Sequence, residues 1–269
     1  MLLSNFHAHT TYCDGSCTVD EMVRGAIDKG LVAFGLSGHS HTFYGYSEMT
    51  VENVVKYRAD MQAAKEKYAG QIELFCGVEQ DFMSEMPANG YDYVIGSTHS
   101  VTLENHECVV DWTADKQVGY VEKYCGGDFY TFTEAYFARE AQVATRTKCD
   151  IVGHFDIIAK FNEGNRLFDE NHPRYRAAAI AAMEEILKTC RLFEVNTNGM
   201  YKLERINPYP ATWLLRELLA RGGEVIISSD SHDVPSICYK FGEMEDLLRS
   251  IGFKYRKMLQ RSDFIDVVL

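Results

Sequence analysis

Residues 2–41 decide the fold, and they read LLSNFHAHTTYCDGSCTVDEMVRGAIDKGLVAFGLSGHSH. Two short apolar runs, Leu2–Phe6 and Leu31–Leu36, flank a segment whose apolar residues recur at helical spacing. The pattern Thr18-x-x-Glu21 just before that segment is typical of a helix start. The stretch therefore predicts a strand, a helix and a second strand, which together form the repeating unit of a parallel β/α fold.

The same alternation continues through the rest of the chain. Five further apolar runs are strand candidates, at Glu73–Val78, Tyr91–Ile95, Ile151–Val152, Leu192–Val195 and Glu224–Ile227. Helical spacing predicts helices within 51–69, 133–147, 173–190, 211–221 and 243–250. Seven strands that alternate with helices favour a closed barrel or an open doubly wound sheet. No stretch is typical of an interdomain linker, so we expect one domain over residues 1–269.

The connection over residues 100–131 is the exception to this alternation. A segment of that length in a compact domain is more often a lid or a binding loop than a connection without function. We therefore expect a lid or an insertion that covers the mouth of a site.

Composition narrows the classes of function. The formal net charge is −12, which opposes a broad grip on nucleic acid because such a grip comes from Lys and Arg on phosphates. A small phosphorylated substrate stays possible, since bound metal ions reverse the local field. The chain has no apolar run of membrane-spanning length, and its eight cysteines include no Cys-x-x-Cys pair. We expect no membrane partner, no nucleic-acid partner, reduced thiols and a cytoplasmic location.

Seven of the nine histidines directly follow a predicted strand, which is where barrel enzymes assemble their active sites. His7 and His9 are two residues apart, so on an extended strand both rings lie on the same face. The later strand ends supply further ligand types: His39 and His41, Glu79 and Asp81, His99, His154 with Asp156, and Asp230 with His232. Packing alone does not explain why so many strand ends supply metal-ligand types. The repetition therefore predicts a metal cluster.

The types of ligand indicate the kind of cluster. Imidazole and carboxylate without thiolate suit Zn, Mn or Fe. The candidates outnumber the three protein ligands of a mononuclear catalytic zinc, so two to three divalent ions are expected, with Glu79 suited to bridging two of them. A metal-activated hydroxide and metal-bound phosphoryl oxygens would then serve the hydrolysis of a phosphate ester.

The run HAHTTYCDG at residues 7–15 resembles the PHP (polymerase and histidinol phosphatase) family. The resemblance implies a distorted seven-stranded (β/α)7 TIM-like barrel that holds up to three ions. It also implies nine ligands: His7, His9, Asp14, His39, Glu79, His99, His154, Asp230 and His232. By the same analogy, His7, His9, Glu79 and Asp230 would hold one ion, Glu79, His99 and His154 a second, and Asp14, His39 and His232 a third.

Two positions depart from the family pattern. Gly38 stands where many members place an aspartate, and His41 is a surplus imidazole that could replace His39 as a ligand. Our prediction is His39. His106 and His172 fall outside the pattern and are expected to be solvated loop residues.

The segment EVNTNGMYKLERINPYP at residues 194–210 resembles the histidinol-phosphate phosphatases of histidine biosynthesis within this family. That resemblance implies a phosphate monoester that carries an ammonium group and an imidazole. The candidate clamps for its phosphate are cations that follow the fifth and sixth strands, namely Lys160, Arg166, Lys202 and Arg205.

The expected reaction is in-line attack of a metal-activated hydroxide on phosphorus, with Glu79, Asp230 and His232 at the reaction centre. A metal-bound water or a nearby Asp or His would protonate the leaving alkoxide. One alternative is a PHP-type phosphatase or phosphodiesterase that acts on nucleotides or phosphotyrosine. Another is a metal-dependent amidohydrolase, although those barrels typically carry a bridging lysine. The third is a metal-binding barrel without turnover.

Overall fold

The computed structural model describes residues 2–43 and 47–269. Its strands are β1 (Ser4–Asn5), β2 (Ala33–Leu36), β3 (Glu73–Asp81), β4 (Tyr93–Ser97), β5 (Ser100–Leu103), β6 (His106–Val109), β7 (Ile151–Val152), β8 (Leu192–Asn196), β9 (Glu224–Ser228), β10 (Tyr255–Gln260) and β11 (Asp263–Val268). Its helices are α1 (Val19–Asp28), α2 (Val51–Lys67), α3 (Ala114–Tyr124), α4 (Phe129–Glu140), α5 (Val143–Thr147), α6 (Pro173–Ile186), α7 (Asn198–Lys202), α8 (Thr212–Ala220) and α9 (Phe241–Ile251).

Seven parallel strands form one sheet in the order β1-β2-β3-β4-β7-β8-β9. The two outer strands meet just beyond their carboxyl ends, where Ala8 pairs in parallel with Ser231. The amide of His9 donates to the carbonyl of Ser231 at 2.7 Å, and the amide of Ser231 donates to the carbonyl of His7 at 3.1 Å. The sheet is therefore a nearly closed barrel, which confirms the predicted seven-stranded α/β architecture and decides against an open sheet.

The start of α1 is set by the predicted capping box. The side chain of Thr18 accepts from the amide of Glu21, and the carboxylate of Glu21 accepts from the amide of Thr18 at 2.8 Å. Both groups would otherwise be unpaired at a helix start. Shortly after the helix ends, Gly30 adopts φ +76°, a left-handed conformation that glycine tolerates best.

The helix predicted within 133–147 is wrong in its extent. Asp128 caps α4 by accepting from the amide of Tyr130 at 2.9 Å, so this helix begins at Phe129. It ends at Glu140, and the separate helix α5 starts at Val143. The break lets Val143 and Ala144 turn into the core, a packing effect that helical periodicity does not report.

The connection over residues 100–131 is structured rather than an open loop. It contains the antiparallel hairpin of β5 and β6, followed by α3 and the first residues of α4. Directly after β6, Asp111 reaches the cavity at the mouth of the barrel, and so does Val109 at the end of that strand. That this segment opens and closes as a lid stays a prediction.

A second hairpin, β10 with β11, closes the amino-terminal end of the barrel, and the sequence patterns did not predict it. Met258 and Leu259 of β10 are buried in one cluster with Phe6, Tyr93 and Ile226 from the barrel strands. This plug leaves the carboxyl ends of the strands as the open face of the barrel. Within the described ranges, no helix is long and apolar enough to cross a bilayer.

Candidate metal centre

The open face of the barrel brings together all nine side chains implied by the resemblance. They come from the segments that follow β1, β2, β4, β7 and β9, and from β3 itself. The nine are His7, His9, Asp14, His39, Glu79, His99, His154, Asp230 and His232. His7, His9 and Glu79 lie at the bottom of the cluster, each no more than 1 % exposed. Asp14 lies at its solvent side, with 33 % of its side chain exposed.

Glu79 lies between two sets of histidines. Its Oε2 is 2.8 Å from Nδ1 of His39 and 3.3 Å from Nε2 of His7. Its Oε1 is 2.8 Å from Nε2 of His154 and 3.2 Å from Nε2 of His99. Each carboxylate oxygen therefore faces its own group of imidazoles, which is the arrangement expected of a bridging ligand.

The other acidic side chains complete the groups around Glu79. Oδ1 of Asp230 is 3.0 Å from Nε2 of His9. The two oxygens of Asp14 lie 3.6 Å from Nε2 of His39 and 3.2 Å from Nε2 of His232.

Three overlapping sets have ligand atoms that all lie within 4.8 Å of one another. The sets are His7 with His9 and Asp230; His9 with Asp14, His39 and His232; and His39 with Glu79 and His99. In addition, the Nε2 atoms of His99 and His154 are 3.3 Å apart. Each group is close enough for its members to share one cation.

Unpaired buried atoms show that the residues fit cations. Nε2 of His7, Nε2 of His9 and Oε2 of Glu79 are buried, and within the described part of the chain none of their close contacts, including that of Oε2 with His39, has the geometry of a hydrogen bond. The two Nε2 atoms nevertheless approach this oxygen to 3.3 and 3.6 Å. Buried polar atoms are almost always paired, and a cation at their centre would satisfy all three.

The electrostatics of the cluster keep its carboxylates ionised. Burial by itself raises the pKa of Glu79, but His39, His7 and His99 outweigh that effect and hold the pKa well below its ordinary range. The pKa of Asp230 is also held well below its ordinary range, because His7 and His9 offset the effect of burial. Ligand carboxylates must be deprotonated to bind metal, so the site is preset for cations.

The histidines of the cluster differ from one another. Burial, with the positive fields of His232 and His39, lowers the pKa of His9 to about 3. Burial also opposes the charge on His99, but Glu79 and Asp81 outweigh it and raise the pKa of His99 to about 10. A pKa this low leaves the His9 ring neutral at pH 7, so one of its ring nitrogens offers a lone pair to a cation.

Two carboxylates outside the nine contact the histidines from behind. Oδ2 of Asp81 is 2.8 Å from Nδ1 of His99, and Oε2 of Glu194 is 2.8 Å from Nδ1 of His7. Asp81 was among the strand-end candidates, whereas Glu194 was not singled out. Glu194 lies in the middle of the buried strand β8. Because an unpaired charge is almost never fully buried, a glutamate at such a position indicates a charged partner nearby.

A cavity of about 140 Å³ opens beside the cluster. Lys160 and Lys202 line it together with Asp111 and Tyr209. Nζ of Lys160 lies 3.3 Å from Oδ2 of Asp111. Two of the four predicted phosphate clamps therefore face the cavity.

The two arginines among these clamps do not line the cavity. Arg205 is 2 % exposed, donates to the carbonyl of Ala159 and lies 4.9 Å from the centre of the Tyr209 ring. Arg166 is exposed and follows a short 3-10 turn. Arg205 is buried in the protein and Arg166 is exposed to solvent, and neither is among the residues that line the cavity.

The structure also places His41 and Gly38, the two positions that depart from the family pattern. His39, and not His41, contacts Asp14 and Glu79, and His41 is not among the residues that line the cavity. A Cβ at Gly38 would lie 3.2 Å from Sγ of Cys13 and from two side-chain atoms of Met49, so a larger residue there would crowd them.

The two histidines outside the pattern lie apart from the cluster. His106 is exposed, as expected, but it is not a loop residue, because it begins β6 and stacks on Tyr124. His172 is not a free loop residue, because it caps α6 and stacks on Tyr130 at 3.8 Å.

Comparisons with known proteins identify the family of this chain. The model of the PHP domain family matches residues 5–198, a range that includes every candidate ligand from His7 to His154. A probable histidinol-phosphatase of Deinococcus radiodurans is 27% identical over 279 residues, and the match spans 95% of this chain and 98% of that relative. The histidinol-phosphatase of Bacillus subtilis (strain 168) is 19% identical, with 87% and 95% spanned.

A solved structure shares the fold. The histidinol phosphate phosphatase of Lactococcus lactis, crystallised with zinc, L-histidinol and phosphate, superposes with a TM-score of 0.70 at 16% identity. The superposition covers 98% of this chain and 99% of that protein. Because the family model matches well over half of the sequence, this chain belongs to the PHP domain family.

Proposed function

We propose that this chain is a metal-dependent phosphatase that hydrolyses the phosphate monoester of L-histidinol. The observation that carries the proposal is the convergence of eight imidazoles and carboxylates around the buried Glu79, beside a cavity that two lysines line. Relatives named histidinol-phosphatase that match over nearly the full length support the substrate. Glu79 occupies the place between the histidines, which disfavours the amidohydrolase alternative with its bridging lysine.

Two to three divalent ions would be held by three groups of these ligands. His7, His9 and Asp230 would hold one ion, His99 and His154 a second, and Asp14, His39 and His232 a third, with Glu79 bridging the first two. When bound, such ions offset charge on phosphoryl oxygens and supply a hydroxide near neutral pH. Zinc is the first metal to test because the Lactococcus lactis protein was crystallised with it, and manganese and iron suit the same ligands.

The cavity has charges suited to both ends of the substrate. Lys160 and Lys202 would bind phosphate oxygens as point charges. In the protein as described, Lys160 is paired with Asp111, which holds its ammonium group at the cavity wall. Once a phosphate engages Lys160, the carboxylate of Asp111 would be available for the ammonium group of the substrate.

The reaction centre would consist of Glu79, Asp230 and His232. Nδ1 of His232 lies 2.9 Å from the carbonyl oxygen of Asp230, which orients the ring so that its Nε2 faces Asp14. Asp230 and His232 both line the cavity and are therefore within reach of a bound phosphate. We also propose that residues 1–269 act as one catalytic barrel in the cytoplasm, which the eight unpaired thiols support.

The decisive experiment is phosphate release from a panel of substrates with Zn, Mn and Fe. The panel contains histidinol phosphate, nucleotides, phosphotyrosine and a diester. We expect histidinol phosphate to exceed every other substrate in kcat/KM by at least about tenfold, which is about 1.4 kcal/mol in transition-state binding. A smaller preference would overturn the substrate assignment, and absence of phosphate release from every substrate would overturn the phosphatase assignment itself.

A further inference from the structure

The carboxylate of Glu194 lies beneath the cluster, in the middle of β8, and its side chain is 0 % exposed. Four donors surround it. Nδ1 of His7 is 2.8 Å from its Oε2, and the hydroxyl of Ser228 donates to the same oxygen at 2.5 Å. Its Oε1 accepts from the amide of His154 and from the side-chain amide of Asn196. Both oxygens are thus occupied by groups that hold the carboxylate in one orientation.

The contact with His7 decides which ring nitrogen faces the cluster. An ionised carboxylate only accepts hydrogen bonds, so Nδ1 of His7 carries the proton and donates a hydrogen bond to Glu194. The other nitrogen, Nε2, points at the cluster, 3.3 Å from Oε2 of Glu79 and 3.7 Å from Oδ1 of Asp230. It is one of the buried atoms without a hydrogen bond in the described residues.

The opposite side of the cluster has a separate support. Nδ1 of His99 is held by Asp81 at 2.8 Å, and the Nε2 of His99 faces the other oxygen of Glu79. Glu194 and Asp81 lie on different strands, and no hydrogen bond joins them in the described part of the chain. Glu194 also accepts from the main-chain amide of His154, a contact that the oxygen of a glutamine could keep. The ligand ring that Glu194 contacts is that of His7, whereas Asp81 contacts the ring of His99, so each carboxylate orients the ring of a different histidine.

We propose that Glu194 is the positioning residue for the ion held by His7, His9 and Asp230, and that it sets the affinity of this ion independently of the ion on the His99 side. The inference rests on the proposed metal-dependent function of the same site. Partners of this kind fix the orientation and tautomer of a ligand histidine, and their loss typically weakens metal binding by about 10–100-fold. The predicted effect is the loss of one particular ion rather than a general weakening of the site.

The test compares metal retention in Glu194→Gln, Asp81→Asn and the double variant. Each protein is loaded with zinc, dialysed against graded concentrations of a chelator, and analysed for bound metal. We expect each single variant to lose one equivalent of zinc at roughly 10–100-fold lower chelator than the wild type, and the double variant to lose two. The control is Glu66→Gln, which makes the same chemical change at an exposed position of α2 away from the cluster, and it should retain the zinc of the wild type.

Three outcomes would overturn the inference. Retention of zinc in Glu194→Gln at the level of the wild type would contradict the positioning role, and loss of a single equivalent in the double variant would contradict independence. Both results leave the phosphatase proposal intact. A wild-type protein that retains no zinc, and also no manganese or iron when loaded in parallel, would instead overturn the proposed function, and the inference with it.

A measurement on the wild type covers the case in which Glu194→Gln does not fold. Nitrogen-15 NMR of the zinc-loaded protein reports which ring nitrogen of His7 carries the proton. We expect a proton on Nδ1. A proton on Nε2 would contradict the role of Glu194.

Discussion

At the scale of single residues, the centre depends on Glu79, whose two oxygens face different histidine groups. Its exposed fraction is 1 %, so the charge is stable there only because the histidines, and cations in the proposed enzyme, surround it. Removing this charge should release ions on both sides of the bridge.

The substitution Glu79→Gln keeps the side-chain volume but removes the charge. We expect loss of bound metal and a fall of about a hundredfold or more in phosphate release, because several kcal/mol of charge stabilisation depend on the ions. Metal analysis and the rate of phosphate release check both effects. Glu66→Gln, at an exposed position of α2, is the matched control, and unchanged metal content in Glu79→Gln would rule out the bridging role.

Two substitutions distinguish a predicted phosphate clamp that lines the cavity from one that does not. Lys160 lines the cavity and Arg166 does not, so Lys160→Met should lower kcat/KM while Arg166→Met should leave it unchanged. A hydrogen bond to a charged group contributes about 1.5–3 kcal/mol, which corresponds to roughly 10–100-fold in kcat/KM. Steady-state kinetics with histidinol phosphate measure the difference, and equal effects of both substitutions would contradict the placement.

Glu140 of α4 links the pKa of a buried group to stability. Burial is the main cause that raises the pKa of its carboxyl from 4.5 to about 8, with Thr98 and His99 offsetting part of the effect. Between these two values the unfolded chain releases a proton that the folded chain keeps, so this group makes stability fall as the pH rises through that window. The stabilising contribution of the protonated form is complete only below the lower value.

We therefore expect Glu140→Gln to raise Tm at pH 8 and to change it much less at pH 5. Each kcal/mol should shift Tm by about 2–4 °C in a chain of this size. Thermal unfolding at the two pH values measures this. A shift of equal size at both would show that the substitution acts through packing and not through the proton.

At the scale of elements, the hairpin of β10 and β11 is expected to contribute to the stability of the barrel but not to the chemistry of the cluster. Its buried residues pack against the amino-terminal ends of the barrel strands, and Arg256 and Arg261 donate to Leu2 and Glu73 at the same end. The cluster lies at the opposite ends of those strands. Changes in the plug should therefore alter the free energy of unfolding without altering the ligands.

Leu259→Ala is the corresponding prediction. Leu259 is 1 % exposed, so its truncation should lower the free energy of unfolding by about 2–5 kcal/mol through lost contacts and a residual cavity. Urea unfolding measures the loss, and metal content below the transition should match the wild type. Tyr255→Ala, at an exposed position of the same strand, is the control. A loss below about 1 kcal/mol at Leu259 would mean that the hairpin is not part of the core.

At the scale of the whole molecule, the proposed ions would join distant parts of the barrel. Their ligands lie on or after β1, β2, β3, β4, β7 and β9, including the two strands at which the sheet closes. Without cations, ionised carboxylates crowd the open end of a chain that already carries a net charge of −12. Metal binding should therefore stabilise the closed barrel as a whole.

Chelation tests this expectation. An ion at 100 times its Kd adds about 2.7 kcal/mol, so a chelator should lower Tm by roughly 5–10 °C, and added zinc should restore it. Thermal unfolding of the wild type and of Glu79→Gln makes the comparison, because the variant should respond much less. Equal responses would place the stabilising ions outside the cluster.

Local sequence patterns predicted much of the fold and of the candidate site. The His7 and His9 pair, the capping box of α1 and the alternation of strands and helices all depend on residues close together in the chain. Carboxyl ends of parallel strands meet at one face, so the shared location of the candidate ligands also followed from the sequence. The predicted ligands therefore lie together in the structure.

Tertiary packing decided the rest. Glu194 contacts a histidine 187 residues away, and no local pattern brings the two together. The same holds for the C-terminal plug, for the break between α4 and α5, and for the division of the four cations into two that line the cavity and two that do not. The sequence by itself determined which chemical groups lie at the strand ends. Only the tertiary structure decided which of the other side chains face them, because that depends on how distant segments pack.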